Sequence, residues 1–320
     1  MTTAVDAWRK PLFDEVLRGI RLHSSVYFRP EFRAPWGVSI ARDCAVFHIV
    51  DQGHCWLQVK GAKPVELSEG DFVVVTRGDT HTLQDQLSTP TVNFFDLVQT
   101  HVSNNSDVFQ AGGSGAVTKF VCGGMQFAHG ASTPLLAILP PLLHIPRTKE
   151  GARPWLMLTT HHVLSELDGG RAGAAEVVTR LADILFIQAV RAYFEENIDT
   201  ADSGWLAAVR DQQIGRALAM LHGHPHQPWT VASLARRLAM SRSAFAAKFT
   251  ELVGEPPQRY LARLRMSAAA TRLRSNHDKL RAIAAAAGYE SVAAFAKAFK
   301  RHMGMTPGEY RKARQPGPPG

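Results

Sequence analysis

The sequence predicts an α+β fold of two domains: an N-terminal β-barrel with flanking helices, and a C-terminal all-α domain that contains one two-helix unit twice. Three observations lead there. Short β-rich runs separated by turns occupy residues 39 to 98, a helical period of apolar residues sets in after Gly169-Gly170, and a pattern of scarce residue types near the C-terminus returns at an offset of 50 residues. Short, evenly spaced strands suit a small barrel or sandwich, whereas a 3.6-residue period marks amphipathic helices.

The N-terminus begins Met1-Thr-Thr-Ala-Val-Asp6, without the basic region and apolar stretch of a secretory signal. The runs Ala45–Val50, Cys55–Val59, Phe72–Thr76 and Thr91–Val98 read as strands, parted by turns at Asp51-Gln-Gly53, Gly61 and Arg77-Gly-Asp79. Residues 103–116, rich in Ser, Asn and Gly, read as a loop. The longest apolar stretch, Leu135 to Ile145, is broken by Pro140 and Pro141 and is too short to span a bilayer, so no membrane partner is expected. Residues 174–197 place Val177, Leu181, Ile184, Leu185, Val190 and Phe194 on one helical stripe. Asp199-Thr-Ala-Asp-Ser-Gly204 reads as a polar linker, dividing a domain of residues 1–200 from one of residues 205–315. The tail Gln315-Pro-Gly-Pro-Pro-Gly320 is expected to be disordered.

Charge separates the halves. From residue 205 onward 19 Lys and Arg face 6 Asp and Glu, a net of +13, while residues 1–204 carry 17 against 22, a net of −5; together these give the chain's +8. A basic module joined to a mildly acidic one suggests polyanion binding by the first. Cys44, Cys55 and Cys122 are odd in number and form no C-x-x-C pair, so neither a disulfide framework nor a zinc ribbon is expected, and a reduced, cytoplasmic setting fits.

The internal repeat aligns Ser241 with Ser291, Phe245 with Phe295, Phe249 with Phe299, Gly254 with Gly304, Pro257 with Pro307 and Tyr260 with Tyr310. Upstream, Leu234-Ala235 and Ile283-Ala284 correspond after a slip of one residue, which falls in a turn where an insertion costs little. Thr230 can cap a helix running to Leu238, with Trp229 and Leu234 as a hydrophobic staple, and Ser241 can cap a second helix to Leu252. Phe245 and Phe249 then share the inward face. Two short helices joined by a tight turn make a helix-turn-helix, here at residues 231–252 and again at residues 279–302. The helix between them, Gln258 to Arg274, carries Arg263, Arg265, Arg272 and Arg274 and is expected to fix the spacing of the two units.

These residues resemble the AraC/XylS family of bacterial regulators. The resemblance is carried by Ile283-Ala-Ala-Ala-Ala-Gly-Tyr-Glu-Ser291, Phe295, Ala298-Phe-Lys-Arg301 and Gly304-Met-Thr-Pro-Gly-Glu-Tyr-Arg311, and more loosely by Ser241-Arg-Ser-Ala-Phe245 and Gly254-Glu-Pro-Pro-Gln-Arg-Tyr260. It implies a seven-helix domain that sets two reading helices into successive major-groove segments of double-stranded DNA. Helix phase turns Ser243, Ala247 and Thr250 outward in the first reader, flanked by Arg242 and Ala246 after the cap Ser241. In the second it turns Ala293, Lys297 and Lys300 outward, flanked by Val292 and Ala296 after the cap Ser291. The many alanines depart from the long polar side chains of relatives. Base hydrogen bonds are therefore expected to be few, resting on Arg242, Ser243 and Lys297, with phosphate contacts supplying most of the affinity. Relatives also imply RNA polymerase as a partner and a dimerisation role for the helix at 174–197, though a core helix would show the same stripe.

In the N-terminal half, Gly70-Asp-Phe-Val-Val-Val-Thr-Arg-Gly-Asp-Thr-His81 resembles the second cupin motif, and the span through Leu139-Pro-Pro-Leu-Leu-His144 resembles the cupin-like sensor domains of some AraC-type regulators. The fold class implied is a cupin-like barrel. A small-molecule effector is the expected ligand, with His48, Trp56, Phe72 and His81 as candidate contacts. The cupin His-x-His pair and Glu are missing: His48 and His54 are six apart with a turn between them, so no metal, no other cofactor and no catalytic residue are expected. The alternatives left open are a metal-dependent cupin enzyme carrying a DNA-binding module and a regulator whose N-terminal domain only contacts proteins. The expected location is the cytoplasm, at the nucleoid.

Overall fold

A computed structural model describes residues 6–18, 22–101, 108–127, 136, 138–147, 154–275 and 278–312. The readings of residues 1–5, 103–107 and the tail 315–320 lie outside the described residues. The chain divides into two compact units. One comprises Leu22–Phe127 and Leu139–Ala192; the other comprises Met1–Arg21, Ala128–Ile138 and Tyr193–Gly320.

The first unit is built on two β-sheets. The strands are β1 (Leu22–Arg33), β2 (Gly37–Ile40), β3 (Ala45–Gln52), β4 (His54–Val59), β5 (Val65–Ser68), β6 (Phe72–Val75), β7 (His81–Gln84), β8 (Val92–Asn93), β9 (Val108–Gly112), β10 (Val117–Phe127) and β11 (Leu142–Ile145). One sheet has the order β11-β6-β3-β10-β1-β9, the other β5-β4-β7-β2-β8. Pairing is antiparallel except for β1 with β9 and β2 with β8. The run Phe72–Val75 is continuously apolar because both faces of its strand are buried, while β4 alternates, with Cys55, Leu57 and Val59 inward and His54, Trp56 and Gln58 on the other face. Between the sheets pack Val50, Val73, Val75, Phe120 and Cys122 from the larger one and Val38, Leu57, Val59 and Leu83 from the smaller. The opposite face of the larger sheet carries Phe47 and Phe72, whose rings lie 6.2 Å apart, and Phe127, which meets Phe186 edge-on at 5.3 Å. Phe186 belongs to helix α4 (Ala174–Asn197), which pairs in sequence with α3 (Pro154–Gly169). The stripe expected at 174–197 is therefore a helix over that span.

Two expectations are corrected. Of the run Thr91–Val98 only Val92–Asn93 is a strand, and helix α2 (Phe94–His101) follows. The Asn93 side chain accepts the Phe95 amide at 2.8 Å, as a helix N-cap does, and Phe94 buries against Phe28 and Phe109. β-propensity marked the segment extended, and packing overrode it. Within residues 103–116, Val108–Gly112 is a strand parallel to β1 rather than loop. Phe109, 4% exposed, anchors it among Phe28 and Phe32, a burial that its Gly- and Ser-rich surroundings hid.

The second unit is helical: α1 (Asp6–Arg18), α5 (Gly204–Arg210), α6 (Gln212–Gly223), α7 (Val231–Arg237), α8 (Arg242–Val253), α9 (Pro257–Ser275), α10 (Leu280–Ala286), α11 (Val292–Met303) and α12 (Pro307–Lys312). Among the described residues seven helices run from Gln212 to Lys312, preceded by the short α5. Asp211 separates α5 from α6 and caps the latter through the Gln213 and Ile214 amides. α1 buries Trp8, Leu12 and Val16, spaced four apart, and packs on α6 with the Trp8 indole against Gly215, while the indole N–H donates to the Val209 carbonyl of α5. A Cβ at Gly215 would lie 2.4 Å from the Trp8 ring nitrogen, so this crossing needs glycine. Among the described residues no helix is long and apolar enough to cross a membrane.

Candidate nucleic-acid interface

The two helix-turn-helix units, α7–α8 and α10–α11, are built by the same local chemistry. Each first helix ends in the same pair of backbone bonds. Met240 N–H reaches Ala235 O and Ala239 N–H reaches Arg236 O; correspondingly Tyr289 reaches Ala284 and Gly288 reaches Ala285. This is a Schellman ending, and it requires positive φ at the residue that leaves the helix. That residue is Gly288 (φ 83°) in the second unit but Ala239 (φ 54°) in the first. Three residues (238–240) then precede Ser241 and four (287–290) precede Ser291, so the one-residue slip in the repeat does fall in the turn.

Each second helix starts alike. Ser241 accepts the Ala244 amide and Ser291 the Ala294 amide, both at 3.1 Å. Both end on a left-handed glycine, Gly254 at φ 84° and Gly304 at φ 76°. The first helices differ: α7 has a full capping box between Thr230 and Ser233, whereas α10 starts at Lys279 with no side-chain cap. The aligned aromatics form matching ladders. Phe245, Phe249 and Tyr260 follow one another at 5.7 Å ring spacing, and Phe295, Phe299 and Tyr310 at 5.5 and 5.3 Å. All six are buried, which turns the opposite faces of α8 and α11 outward.

On those faces Ser241, Arg242, Ser243 and Ala247 are exposed, as are Ser291, Ala293, Lys297 and Lys300; Ala246, Thr250, Val292 and Ala296 are half-buried. The Thr250 hydroxyl donates back to the Ala246 carbonyl at 2.8 Å, which engages its proton within the helix. The side chains of Arg242, Lys297 and Lys300 make no hydrogen bond or close ion pair with the described residues, although the Glu309 carboxylate acts on Lys300 at longer range, and all three are exposed. Lys248, by contrast, bridges to Asp211 at 2.6 Å and ties α8 to the start of α6.

The arginines of α9 are occupied inside the unit. Arg263 grips Glu255 with two nitrogens and lies over the Tyr260 ring at 4.9 Å, while Arg265 donates to the Pro225 and Gln227 carbonyls. Arg272 grips Asp278, and Arg274 lies 4.6 Å over Tyr310. Arg263 thus acts beside the first helix-turn-helix, Arg272 and Arg274 beside the second, and Arg265 holds the carbonyls before α7 while lying against Gly288 of the second unit. Below them Trp205 donates to the Tyr260 hydroxyl at 3.1 Å, and the hydroxyl lies 2.7 Å from His222 Nε2. With one hydrogen, Tyr260 donates to His222, whose ring is neutral; burial pushes it down to about 3, with the Arg263 charge adding to this.

In the two-sheet unit the four candidate ligand contacts part. His48 and His81 come together, Nε2 to Nε2 at 3.0 Å, both buried between the sheets. Trp56 lies on the outer face of β4 and Phe72 on the far face of the larger sheet, so neither joins them. His54 is exposed on β4, past a hairpin at Gly53 (φ 84°) where a Cβ would meet the Val117 carbonyl at 2.4 Å. A cupin metal needs three or four convergent ligands. Here two imidazoles converge and hydrogen-bond one another, and no group of three His, Cys, Asp or Glu among the described residues fits an ion. Sequence spacing missed Cys122, whose Sγ lies 3.1 Å from His48 Nδ1, because only the register of β10 on β3 sets Cys122 opposite His48. A small cavity beside them is lined by Phe28, Phe94, Phe95, Cys44 and Gly124.

Comparison with known proteins agrees with both halves. A family model described as cupin matches residues 12–195, and one described as a helix-turn-helix domain matches residues 234–313. The chain is 35% identical over 269 residues to an AraC-like transcription regulator of Streptomyces lividans, spanning 83% of this chain and 86% of the relative. It is 36% identical over 273 residues to a similar regulator of Streptomyces antibioticus, spanning 84% and 88%. It is also 30% identical over 312 residues to the HTH-type transcriptional regulator AlkR of Acinetobacter baylyi, spanning 96% and 99%.

Proposed function

Because the chain belongs to the AraC-like transcription regulators, we propose that α8 and α11 are its two DNA-reading helices and that a small molecule acting on the two-sheet unit controls them. The observation that carries the first part is the matched construction of α8 and α11, each capped by serine, anchored by two inward phenylalanines and presenting solvent-exposed residues opposite. In this reading Arg242, Ser243 and Lys297 make the base-edge and nearby phosphate contacts. Ser241, Ala246, Ala247, Thr250, Ser291, Val292, Ala293, Ala296 and Lys300 line the groove, where alanine methyls meet thymine methyls. The functional boundary falls between residues 200 and 205.

Partners beyond DNA belong to the same proposal. The exposed apolar residues of α3 and α4, Met157, Leu158, Val177 and Ile184, suit a homodimer contact, and RNA polymerase is the partner through which the bound chain acts. The cytoplasm, at the nucleoid, is the compartment that such a role requires. His48 and His81 remain the candidate effector contacts; Trp56 and Phe72 have no part in that site.

The test is duplex binding by the full-length chain. Affinity is expected to fall linearly in log–log form with salt, with a slope near −0.9 per neutralised phosphate. Binding that ignores salt, or that favours no duplex over a neutral polymer, would overturn the assignment.

A further inference from the structure

The interior of the two-sheet unit holds a chain of hydrogen bonds whose direction can be worked out atom by atom. His81 Nδ1 lies 3.0 Å from the Asp79 carbonyl oxygen, which can only accept, so Nδ1 carries the proton and Nε2 the lone pair. His48 Nε2 lies 3.0 Å from that lone pair and therefore donates. Burial, and the charge of His81, push His48 well below its ordinary range, so its ring is neutral and its Nδ1 is an acceptor. The group 3.1 Å from Nδ1 is the Cys122 thiol, which must be the donor. The order is thus Cys122 S–H to His48, His48 N–H to His81, and His81 N–H to the Asp79 carbonyl, half-exposed beyond the sheet. Such a thiol has a base in contact and a route for its proton.

We propose that Cys122 is a covalent acceptor for a small, uncharged, soft carbon electrophile of the α,β-unsaturated carbonyl class, with His48 and His81 relaying its proton. The cavity at the thiol gives the ligand class. Phe28, Phe94 and Phe95 make its wall apolar, Gly123 and Gly124 complete the lining without side chains, and Arg42 lies 4.2 Å over the Phe95 ring. That lining favours an enal over a charged alkylating agent or a strongly hydrated peroxide. Burial pushes the Cys122 thiol up, so a free thiolate is disfavoured and the thiol stays protonated until an electrophile arrives.

In the step the sulfur bonds to the β-carbon as the C=C π bond opens and the S–H bond breaks. The thiol proton passes to His48 Nδ1 while the His48 Nε2 proton passes to His81 Nε2. His81 then holds two protons; burial disfavours that form and the Asp79 carboxylate and carbonyl offset this only in part, so the ring keeps the second proton only in transit. The proton returns along the same path to the α-carbon of the enolate. Thiol and enal become thioether and aldehyde, no oxidant is consumed, and no net charge remains in the core. Cys55, 0% exposed in the same core but with no hydrogen bond to an imidazole, has no such base. The proposal deepens the effector reading of this unit, on which only its regulatory consequence rests.

The test treats full-length chain carrying Cys44→Ser, which removes the half-exposed third thiol, with acrolein, and with propanal as the saturated control. Adducts are located by peptide mass spectrometry, and duplex affinity is measured before and after. Cys122 is expected to gain acrolein much faster than Cys55, and His81→Gln, which cannot relay a proton, to slow it by about a hundredfold. Equal labelling of Cys122 and Cys55 in the unmutated relay would overturn the proposal, as would an unchanged rate in a folded His81→Gln chain. Oxidation of Cys122 by hydrogen peroxide without any acrolein adduct would also overturn it. An adduct at Cys122 that leaves duplex affinity unchanged would uphold the chemistry and remove the effector reading.

Discussion

The repeat makes single residues comparable in a way that one copy would not allow. Ala239 and Gly288 do the same task, leaving a helix at positive φ, yet only glycine adopts that conformation without a Cβ penalty. Ala239→Gly is therefore expected to stabilise the chain by about 0.5 to 1 kcal/mol, read as a raised denaturation midpoint. Gly288→Ala should destabilise by more, because its Cβ would also come within 2.7 Å of the Arg265 guanidinium that holds the Pro225 carbonyl. A lowered midpoint for Ala239→Gly would show that the turn is set by something other than local backbone energy. At the reading face, Lys297→Ala should cost roughly 1 to 3 kcal/mol of discrimination at one base position. Arg242→Ala, at the helix start where side chains reach phosphate, should weaken all duplexes alike and reduce the salt slope by about one unit. Competition between cognate and scrambled duplexes separates the two, and base preference unchanged in Lys297→Ala would contradict the placement of α11. His222 carries a third prediction. Its folded-state value of about 3 lies below the ordinary 6.5 of an unfolded chain, so its contribution to stability is complete above pH 6.5 and is lost as pH falls toward 3. His48 and His81, also lowered, add to that slope. His222→Gln, which keeps an acceptor for Tyr260, should flatten the decline in denaturation midpoint between pH 7 and 5; an equal slope in both chains would contradict the buried neutral imidazole.

Elements were legible in the sequence to the extent that their own residues determine them. Ser241, Ser291, Gly254, Gly304 and the paired phenylalanines act locally or on the adjoining helix, so α8 and α11 could be placed from spacing alone, and the 174–197 helix from its stripe. Segments whose fate depends on distant partners were not. Thr91–Val98 looks extended by composition, but Phe94 finds its pocket against Phe28 and Phe109 only in a helix. Val108–Gly112 looks like loop until β1 offers an edge to pair with. The candidate ligand residues divide by the same rule. Trp56 and Phe72 are candidates by residue type alone, and strand parity sends each to a face away from His48. Cys122 meets His48 through the register of two strands far apart in sequence, which no motif encodes. The arginines of α9 are expected to serve the spacing of the two units, and their partners could not be read from the sequence: Glu255, Asp278 and backbone carbonyls hold Arg263, Arg272 and Arg265.

At the scale of the molecule, the net of +13 beyond residue 204 and −5 before it places the excess positive charge on the half that contains α8 and α11. With Arg263, Arg265, Arg272 and Arg274 of α9 engaged internally, the exposed cations include Arg242 on α8 and Lys297 and Lys300 on α11. The helical unit also draws on the start of the chain, since α1 covers α6 through Trp8 and Phe13 stacks on Phe194 at 4.8 Å. Binding measurements accordingly belong to the full-length protein. The central claim is that one chain reads DNA twice, once with α8 and once with α11. Selection of the full-length chain on a randomised duplex library tests it most directly. The account predicts an enriched site with two boxes whose centres lie about 10 base pairs apart, one helical turn, with Ser243→Ala relaxing one box and Lys297→Ala the other, while Arg242→Ala weakens binding without changing either. A single box, or two boxes that both relax when only α11 is altered, would contradict it.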